Sequence, residues 1–406
     1  MDLQQVKTQV AQVYRQNCEG IKKLPNKRLL QTLEEEISEE EQQTNQISVV
    51  FRGNDKFNFN CRLNDTDMII FTETLFDFAE NIRHIDLSYN QFQEEGANTL
   101  SGLLERTVNL ESLNLQGNEI QTQGGQKIAA ALKENTSLRY LNLANNKIKT
   151  DGAISIIDFL FYKENLLELN LADNEIHHDG MIGIASVLNW NNNTLQVLNV
   201  DNPVYTSIGQ ETAIHFAKML QSNRSLEKLS LQKHQFTCEA IYTITEHLLE
   251  NKTLRVLDLT ANKIAFKGCE ALAKYLLGEY CSLESLILAN NRTGHYGAKA
   301  IAQALSKNRT LIHVDMTRNN IDDGGLKMIA ESLETNNTLV SLKLYYNDFG
   351  QAALQEFHNL QQKPRKGDWF WDFQTYIVGN QIEMAYSRKC KIAYNEAIKL
   401  KNENNG

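Results

Sequence analysis

The chain has 406 residues, 42% of them hydrophobic and 22% charged, with a formal net charge of -9 at pH 7. These proportions are those of an ordinary globular chain, long enough to bury a substantial core. The negative charge argues against a general nucleic-acid binder. No stretch approaches the roughly 20 apolar residues of a membrane span, and residues 1–20 lack the apolar core of a signal peptide. We therefore expect a cytoplasmic chain whose partners are proteins, with no nucleic acid and no membrane.

Residues 1–53 are predicted to form a helical cap. Two apolar stripes at helical spacing, separated near Pro25, predict two helices there. The acidic runs 34–36 and 39–41 are predicted to be a solvated face. Such a cap would cover the open edge of a repeat array, which must be blocked in some way. The stripes comprise Val6, Val10, Val13 and Tyr14 in the first helix, and Leu29, Leu30, Leu33 and Ile37 in the second.

Residues 54–360 are dominated by one repeated motif. A clear copy has Leu at 110, 113 and 115 followed by Asn118, and the Asn recurs 28 or 29 residues later wherever the series is unbroken. This pattern, L-x-x-L-x-L-x-x-N, is the leucine-rich repeat. The consensus asparagines are Asn90, Asn118, Asn146, Asn174, Asn262, Asn291, Asn319 and Asn347.

Each copy predicts a short strand followed by a helix. Leu113 and Leu115 alternate with the polar Asn114, which is the strand signal. A Gly six residues after the Asn then precedes an apolar stripe at helical spacing. We predict an α/β fold, a leucine-rich repeat solenoid or horseshoe with parallel strands on the concave face and helices on the convex face. The consensus Asn should bond to backbone groups of the neighbouring turn, because an unpaired buried amide costs roughly 1–3 kcal/mol.

The pattern is disturbed at both ends and in the middle of the series. Phe57 and Phe59 are predicted to be a degenerate first strand, with Arg62 in the position of the Asn. Later, Pro203 and His234 occupy that position. Several readings of the second disturbance stay open: drift in a tolerant turn, a local bend, or a partner-facing loop.

Residues 361–406 are predicted to form an aromatic hairpin and a basic helix. Two alternating segments flank Gly379-Asn380, the two-residue hairpin signal. A basic amphipathic segment follows, and its Arg388, Lys389 and Lys391 are candidate protein-binding residues. Trp369 and Trp371 are predicted to fix the hairpin to the last repeat. One reading makes this region a cap whose aromatic residues pack on that repeat. The other makes it a docking element.

No catalytic pattern is found. The chain has neither a phosphate-binding Gly-x-x-x-x-Gly-Lys-Ser/Thr loop nor a His-Glu-x-x-His motif, and its six cysteines are scattered without a Cys-x-x-Cys pair. We therefore expect no enzymatic activity, no cofactor and no metal site. Asn-x-Ser/Thr sequences recur at the turn between helix and strand, and their periodicity marks them as repeat consensus: Asn135, Asn223, Asn251, Asn308 and Asn336.

The outward positions of the strands are the candidate binding surface. In the first half of the array they are polar to acidic, which suits a protein with a basic or hydrogen-bonding face. The alternative is that much of the Asn content is consensus drift. The candidate residues on this concave face are His84, Asp86, Asn114, Tyr140, Asn142, Glu168, Asn170 and Asp201.

The 28-residue unit, with its Gly and its helices rich in Ile and Ala, resembles the ribonuclease-inhibitor-type subfamily. The chain most resembles the small repeat-only intracellular members of cilia and germ cells, since it lacks the cysteines of ribonuclease inhibitor and the acidic tail of the Ran GTPase activator. The resemblance implies a non-enzymatic protein-interaction scaffold in a larger ciliary, axonemal or cytoskeletal assembly. The alternative that it implies is a GTPase-activating protein resembling the Ran GTPase activator.

Overall fold

The computed structural model of the chain describes residues 3–162, 164–205, 209–363 and 370–387. The chain divides into two compact units, Met1–Val204 (unit 1) and Tyr205–Gly406 (unit 2). In the described ranges no helix is both long and apolar enough to cross a membrane.

Unit 1 opens with three helices and then alternates strands with helices. Its strands β1 to β6 pair in sequence order and in parallel. The elements are α1 (Leu3–Gly20), α2 (Lys27–Glu34), α3 (Glu39–Thr44), β1 (Ile47–Val50), α4 (Asp65–Leu75), β2 (Ile82–Asp86), α5 (Glu94–Leu104), β3 (Ser112–Asn114), α6 (Gln121–Ala131), β4 (Tyr140–Asn142), α7 (Lys149–Tyr162), β5 (Glu168–Asn170), α8 (His178–Trp190) and β6 (Val197–Asn199).

Unit 2 continues the alternation and ends in a hairpin. Its strands β7 to β12 are also parallel and pair in sequence order, whereas β13 and β14 pair antiparallel. The elements are α9 (Gln210–Ser222), β7 (Lys228–Ser230), α10 (Cys238–Leu248), β8 (Val256–Asp258), α11 (Phe266–Leu276), β9 (Ser285–Ile287), α12 (Gly294–Lys307), β10 (His313–Asp315), α13 (Asp323–Leu333), β11 (Ser341–Lys343), α14 (Gln351–Gln362), β12 (Phe370–Trp371), β13 (Phe373–Val378) and β14 (Gln381–Tyr386).

The burial pattern confirms the predicted α/β repeat. In β3 the central Leu113 is buried, while Ser112 and Asn114 on either side of it remain partly exposed. The flanking Leu110 and Leu115 are also buried. A three-residue strand cannot bury so many leucines by itself, so each copy depends on its neighbours in the array. Each unit therefore has the fold of a leucine-rich repeat solenoid.

The consensus asparagines form the predicted ladder of hydrogen bonds. Asn146 is fully buried, and its Nδ2 donates to the carbonyl oxygens of Leu115, Leu143 and Ala144 at 2.9, 3.0 and 3.1 Å. Leu115 belongs to the preceding repeat, so the side chain ties two turns together. The Oδ1 of Asn174 in turn accepts from the backbone N–H of Asn146 at 3.0 Å. The prediction that these amides bond to neighbouring backbone is thus confirmed.

A second asparagine ladder lies at the turn between helix and strand. It includes the five predicted sequon residues and Asn192, which also begins an Asn-x-Thr sequence, and all six are buried: Asn135, Asn192, Asn223, Asn251, Asn308 and Asn336. Their Oδ1 atoms accept from the N–H three residues on, as in the 2.8 Å bond from Leu311 to Asn308. The Asn308 Nδ2 donates to the carbonyl of Leu276 in the preceding repeat at 2.8 Å. Since a glycan would have to replace this buried N–H, these sites are structural in the folded chain.

The Gly that recurs near the start of the repeat helices is needed for close packing. A Cβ on Gly180 would lie 2.5 Å from Ile176 Cγ2, and one on Gly124 would lie 2.7 Å from Ile120 Cγ2. Neither glycine has a positive φ. The Gly is therefore needed for the space that the preceding Ile occupies, and not for a left-handed backbone conformation.

The N-terminal cap differs from its prediction in two ways. It contains three helices rather than two, and Glu41 of the supposedly solvated acidic run is buried. The Glu41 Oε2 lies 3.0 Å from Lys7 Nζ and accepts from the Ser38 N–H, while its Oε1 accepts from the Ser48 N–H. These bonds connect α1, α3 and β1, so this carboxylate holds the cap to the first strand.

The predicted first strand at Phe57 and Phe59 is wrong. The sheet begins earlier, at β1, where Ile47 and Val49 alternate with more exposed residues and pair beside β2. Phe57 and Phe59 are exposed and lie in a turn and a short 3₁₀ helix. The Arg62 guanidinium stacks over the Phe59 ring at 4.3 Å. The alternation at 47–50 carries the strand signal, within the segment predicted as cap.

His234, in the Asn position, is buried in an aromatic setting. Its Nδ1 lies 2.9 Å from the Tyr205 hydroxyl, and its ring packs against Phe216 and Phe236. Burial raises the pKa of Tyr205. A bulkier ring thus replaces the amide in this turn and is held by the Tyr205 hydroxyl as well as by the two Phe rings. In unit 1, Val204 forms a parallel bridge with His177 directly after Pro203.

The C-terminal hairpin is confirmed. The strands β13 and β14 flank Gly379-Asn380, and Gly379 has the positive φ that such a turn requires. Trp371 is buried against Phe357 of α14 and Phe373 of β13. The predicted contact of Trp371 with the last repeat is therefore present, whereas Trp369 lies outside the described residues.

A buried carboxylate closes the end of this sheet. The Asp372 oxygens accept from the N–H groups of Leu344 and Tyr345 at 2.9 and 3.0 Å. In the preceding repeat the corresponding N–H of Met316 donates to the Lys343 carbonyl of the next strand. Asp372 thus supplies by side chain the acceptor that another repeat would supply by backbone. Burial raises the pKa of Asp372, against the effect of these two bonds.

Candidate protein-binding surface

The outward strand residues of unit 1 line a shallow groove. We call the surface made by these outward residues the strand face. The groove is floored by β3, β4, β5 and β6 and has a volume of ≈ 360 Å³. It brings together five of the predicted residues: Asn114, Tyr140, Asn142, Glu168 and Asn170.

The parallel register arranges the groove in two columns. Ser112, Tyr140, Glu168 and Val197 are cross-strand neighbours in the first column. Neighbouring strands lie about 4.8 Å apart, so Tyr140 and Glu168 stand side by side. Both are exposed, Tyr140 to 39%. The second column comprises Asn114, Asn142, Asn170 and Asn199.

Two predicted residues lie beside the groove on β2 and have partners within the chain. The Asp86 carboxylate is largely buried. It accepts hydrogen bonds from the Arg52 Nε, at 2.7 Å, and from the Ser88 N–H. The His84 Nε2 lies 3.4 Å from the Glu40 carboxylate. The acidic character expected at this end is therefore reduced by Arg52.

Asp201 does not lie on a strand. It follows the end of β6 and is buried, and its backbone N–H donates to the Asn199 Oδ1 at 3.0 Å. Asp201 is therefore not among the exposed strand residues, and its role in binding stays a prediction. The strand residues Val197 and Asn199 line the groove instead. The period-two alternation of β6 was the signal for them, because it places Asn199 in the same column as Asn170.

Predicted residues Arg388, Lys389 and Lys391 lie outside the described residues, so their role in binding stays a prediction. Within the described ranges, no three His, Cys, Asp or Glu side chains are grouped to hold a metal ion. The cysteines of those ranges are free thiols, and burial raises the pKa of Cys269 to about 12. A thiol with such a pKa remains protonated at neutral pH and is a poor nucleophile.

The strand face of unit 2 is built differently. The column that holds asparagines in unit 1 holds Ser230, Asp258, Ile287, Asp315 and Lys343. There the Lys343 Nζ lies 3.4 Å from Asp315 Oδ2, and burial raises the pKa of Asp258. The row of amides is thus a property of unit 1.

A family model for the leucine-rich repeat matches six segments of the chain, residues 79–101, 108–129, 134–156, 162–185, 250–273 and 307–330. Each segment holds a strand and the greater part of its helix. Together with the asparagine ladder and the parallel strands, these matches define the class as a repeat solenoid. The chain therefore contains leucine-rich repeats in these segments, and proteins with such repeats generally bind other proteins.

The curated relatives are similar over a short part of their length. Mouse "NACHT, LRR and PYD domains-containing protein 14" is 31% identical over 101 residues, 25% of this chain and 10% of that protein. Protein 9 of the same series, from Bos taurus, is 31% identical over 99 residues, 24% of this chain and 10% of its own length. The aligned part thus spans about a tenth of these relatives, and the likeness concerns their repeat regions.

Two solved structures are also similar. The leiomodin-1 actin-binding site 2 is 25% identical and covers 39% of this chain and 88% of that one, with a TM-score of 0.33. A structure of the yeast Rad7 and Elc1 complex is 14% identical over 84% of this chain and 89% of that one, with a TM-score of 0.43. Both TM-scores are under 0.5, so neither likeness bears on function.

Proposed function

We propose that the chain is a non-enzymatic protein-interaction scaffold that binds a partner through the groove of unit 1. The observation that carries this proposal is the pairing of Tyr140 and Glu168 across β4 and β5, where both side chains are exposed on the parallel sheet. Tyrosine is among the residues that most often contribute large binding energy at protein interfaces. A carboxylate beside it can orient a basic or hydrogen-bonding group of the partner.

The proposal is tested by comparing three versions of the full chain as bait for proteins of the cell of origin. The wild type is compared with Tyr140→Ala/Glu168→Lys and with the matched variant Tyr162→Ala/Glu134→Lys. The matched variant changes an exposed Tyr and an exposed Glu of the same unit that do not line the groove. We expect one or more partners to be retained by the wild type and the matched variant and lost from the groove variant. Equal recovery on all three baits, at equal unfolding midpoints, would place the contact elsewhere.

We further propose that this scaffold works in the cytoplasm as part of a ciliary, axonemal or cytoskeletal assembly. The support is the resemblance to small repeat-only intracellular proteins that the 28-residue unit carries. A tagged chain expressed in ciliated cells should resist detergent extraction and remain with the axoneme or the cytoskeleton. Complete extraction of the tagged chain would contradict this setting.

The GTPase-activating alternative is separated by a direct assay. The full chain is added to GTP-loaded small GTPases, and phosphate release is followed. The scaffold proposal expects rates equal to those without the chain. Acceleration that Tyr140→Ala/Glu168→Lys abolishes would favour the alternative.

A further inference from the structure

The second column of the groove presents its amides in one fixed orientation. In each of its four asparagines, the side-chain Oδ1 accepts from the backbone N–H two residues on. The distances are 3.2 Å for Asn114, 3.1 Å for Asn142, 3.1 Å for Asn170 and 3.0 Å for Asn199. A backbone N–H can only donate, so the atom facing it must be the oxygen. The NH₂ group therefore points away from the turn.

These NH₂ groups form a row of hydrogen-bond donors. Asn142 Nδ2 donates to the Gln116 Oε1 at 3.1 Å, which occupies one of its two N–H groups and fixes the Gln116 amide. Among the described residues, Asn114, Asn170 and Asn199 show no acceptor for their Nδ2 atoms. The register places the four amides on successive strands, about 4.8 Å apart.

The turn itself does not require an amide. Asp86 in unit 1, and Asp258 and Asp315 in unit 2, stand at the corresponding position of their own repeats. Each carboxylate accepts from the N–H two residues on, at 3.0, 2.9 and 3.0 Å. Asp therefore satisfies this turn as well as Asn does. What four successive asparagines add is a row of neutral donors facing outward.

The spacing of the row selects the shape of an occupant. In an extended chain, groups on one side repeat every two residues, about 6.8 Å, which is about 2 Å too long at each step. On an α-helix, side chains at i, i+3 or i+4, and i+7 repeat once per turn of 5.4 Å, which is about 0.6 Å too long. Over the three steps of the row the mismatch is about 6 Å for a strand and about 2 Å for a helix. Side-chain rotation can absorb only the latter.

The neighbouring column selects the chemistry. Glu168 is exposed two residues before Asn170 on the same side of β5, so it repels a carboxylate that approaches the row. An uncharged oxygen acceptor has no such penalty. A cation opposite Glu168 would be attracted, and the Tyr140 ring offers an apolar contact beside it.

We propose that the occupant of this groove is an α-helix of a partner protein, lying across β3 to β6. One side of the helix presents Gln or Asn oxygens to the donor row, and a Lys or Arg flanks them opposite Glu168. This rests on the proposed function and adds the chemistry of the partner to it. The inference concerns the strand face of unit 1, in which the row of amides occurs.

The test is a selection of displayed helical peptides on the full chain. The probe is a library of stapled single-helix peptides, randomised at i, i+4, i+7 and i+11 on one face and at two flanking positions. Three baits are used: wild type, Tyr140→Ala, and the triple variant Asn114→Asp/Asn142→Asp/Asn170→Asp. The triple variant keeps the oxygens that close the turns and replaces donors by acceptors. Peptides selected on the wild type should carry Gln or Asn on the face and Lys or Arg at the flank.

The same peptides should bind the triple variant at least ~10-fold more weakly, since three donors are lost. Selection on the triple variant itself should yield Lys or Arg in place of Gln or Asn. If unfolding midpoints show that the triple variant is destabilised, the single variants Asn114→Asp and Asn170→Asp are compared, each with an expected loss of about 3-fold.

The outcomes separate the inference from the function beneath it. Peptides that lose affinity for Tyr140→Ala but bind the Asp variants unchanged would contradict recognition by the donor row. They would still support the groove as the binding site. Peptides that bind all three baits equally would show that the groove is not their binding site, and would contradict the proposed function as well. Enrichment of Asp, Glu or apolar residues on the selected face, or no enrichment, would also overturn the helix with neutral acceptors.

Discussion

Asn146 Nδ2 donates to the carbonyl oxygen of Leu115 at 2.9 Å, across 31 positions of the chain. The same NH₂ group also donates to Leu143 and Ala144 of its own turn. Asn146→Ala would leave these buried carbonyls without this donor. We expect a loss of about 1–3 kcal/mol in the free energy of unfolding, measured in urea.

The matched control for this prediction is Asn142→Asp. Asn142 has a structural role as well, because its Oδ1 accepts from the buried Ala144 N–H at 3.1 Å. An Asp keeps that acceptor, as Asp86 does for Ser88, so the midpoint should move little. If the urea midpoints fell equally in both variants, the distinction between a buried Asn that stabilises the fold and a strand-face Asn that does not require its amide would be contradicted.

The sequence predicts the repeat well because residues at the same position of successive repeats are buried in the same way. The spacing of the asparagines predicts their shared turn, and the alternation around Leu113 predicts which side is buried. The hairpin at Gly379-Asn380 is also predicted from local sequence, because two residues determine the geometry of its turn. Each of these features depends on local pattern and on neighbours at one constant separation.

The sequence fails where a side chain meets a partner at an irregular separation. Glu41 looks like part of a solvated run, but Lys7 lies 34 positions before it and pairs with it. Asp86 looks like an exposed acid of the groove, but Arg52 reaches it from the loop after β1. No repeated spacing in the sequence predicts either contact. The amide orientation in the groove also needs the structure, because it depends on which N–H faces each oxygen.

The pairing of Glu41 with Lys7 should make the cap sensitive to acid. Burial alone would raise the pKa of Glu41, but the N–H groups of Ser48 and Ser38 and the Lys7 ammonium outweigh burial and lower it. The folded pKa thus lies below the unfolded value of about 4.3. The stabilisation is present above that pH and is lost as the pH falls through the folded pKa.

Urea midpoints of the wild type and Glu41→Gln between pH 7 and pH 3.5 test this. At pH 7 the variant should be less stable by about 3–5 kcal/mol, since Lys7 is left buried without its partner. The difference should shrink below about pH 4.3. Glu39→Gln, a change at an exposed position of the same helix, should follow the wild type at every pH. A Glu41→Gln difference that does not vary with pH would contradict the ion pair.

His313 should make unit 2 sensitive over a higher pH range. Its Nδ1 lies 2.8 Å from the Ser341 hydroxyl, and burial lowers its pKa to about 4, helped by Lys343 and opposed by Asp315. The unfolded value is about 6.5. Between these values the unfolded chain binds the proton more readily, so stability falls as the pH is lowered from about 6.5 to about 4.

The size of this loss follows from the width of the window. Each pH unit changes the free energy of unfolding by up to about 1.4 kcal/mol, so about 3 kcal/mol is at stake. His313→Gln keeps a neutral polar side chain but has no proton to bind in this range. Its stability should depend less on pH between 6.5 and 4 than that of the wild type. Parallel pH profiles for the two proteins would show that His313 is protonated as easily when folded as when unfolded.

Trp371 should determine whether the hairpin belongs to the cooperative core of unit 2. Its ring centroid lies 5.2 Å from that of Phe357 on α14 and 5.5 Å from that of Phe373 on β13. Trp371→Ala would open a cavity among these rings, with an expected loss of about 3–5 kcal/mol. It would also disturb the neighbouring Asp372, which closes the end of the sheet.

The control is Tyr376→Ala, at an exposed position of the same hairpin, which should change the free energy of unfolding little. Unfolding followed by near-ultraviolet circular dichroism would compare the two variants. Equal midpoints would mean that the hairpin folds apart from the repeats, and would favour the docking reading of residues 361–406 over the cap.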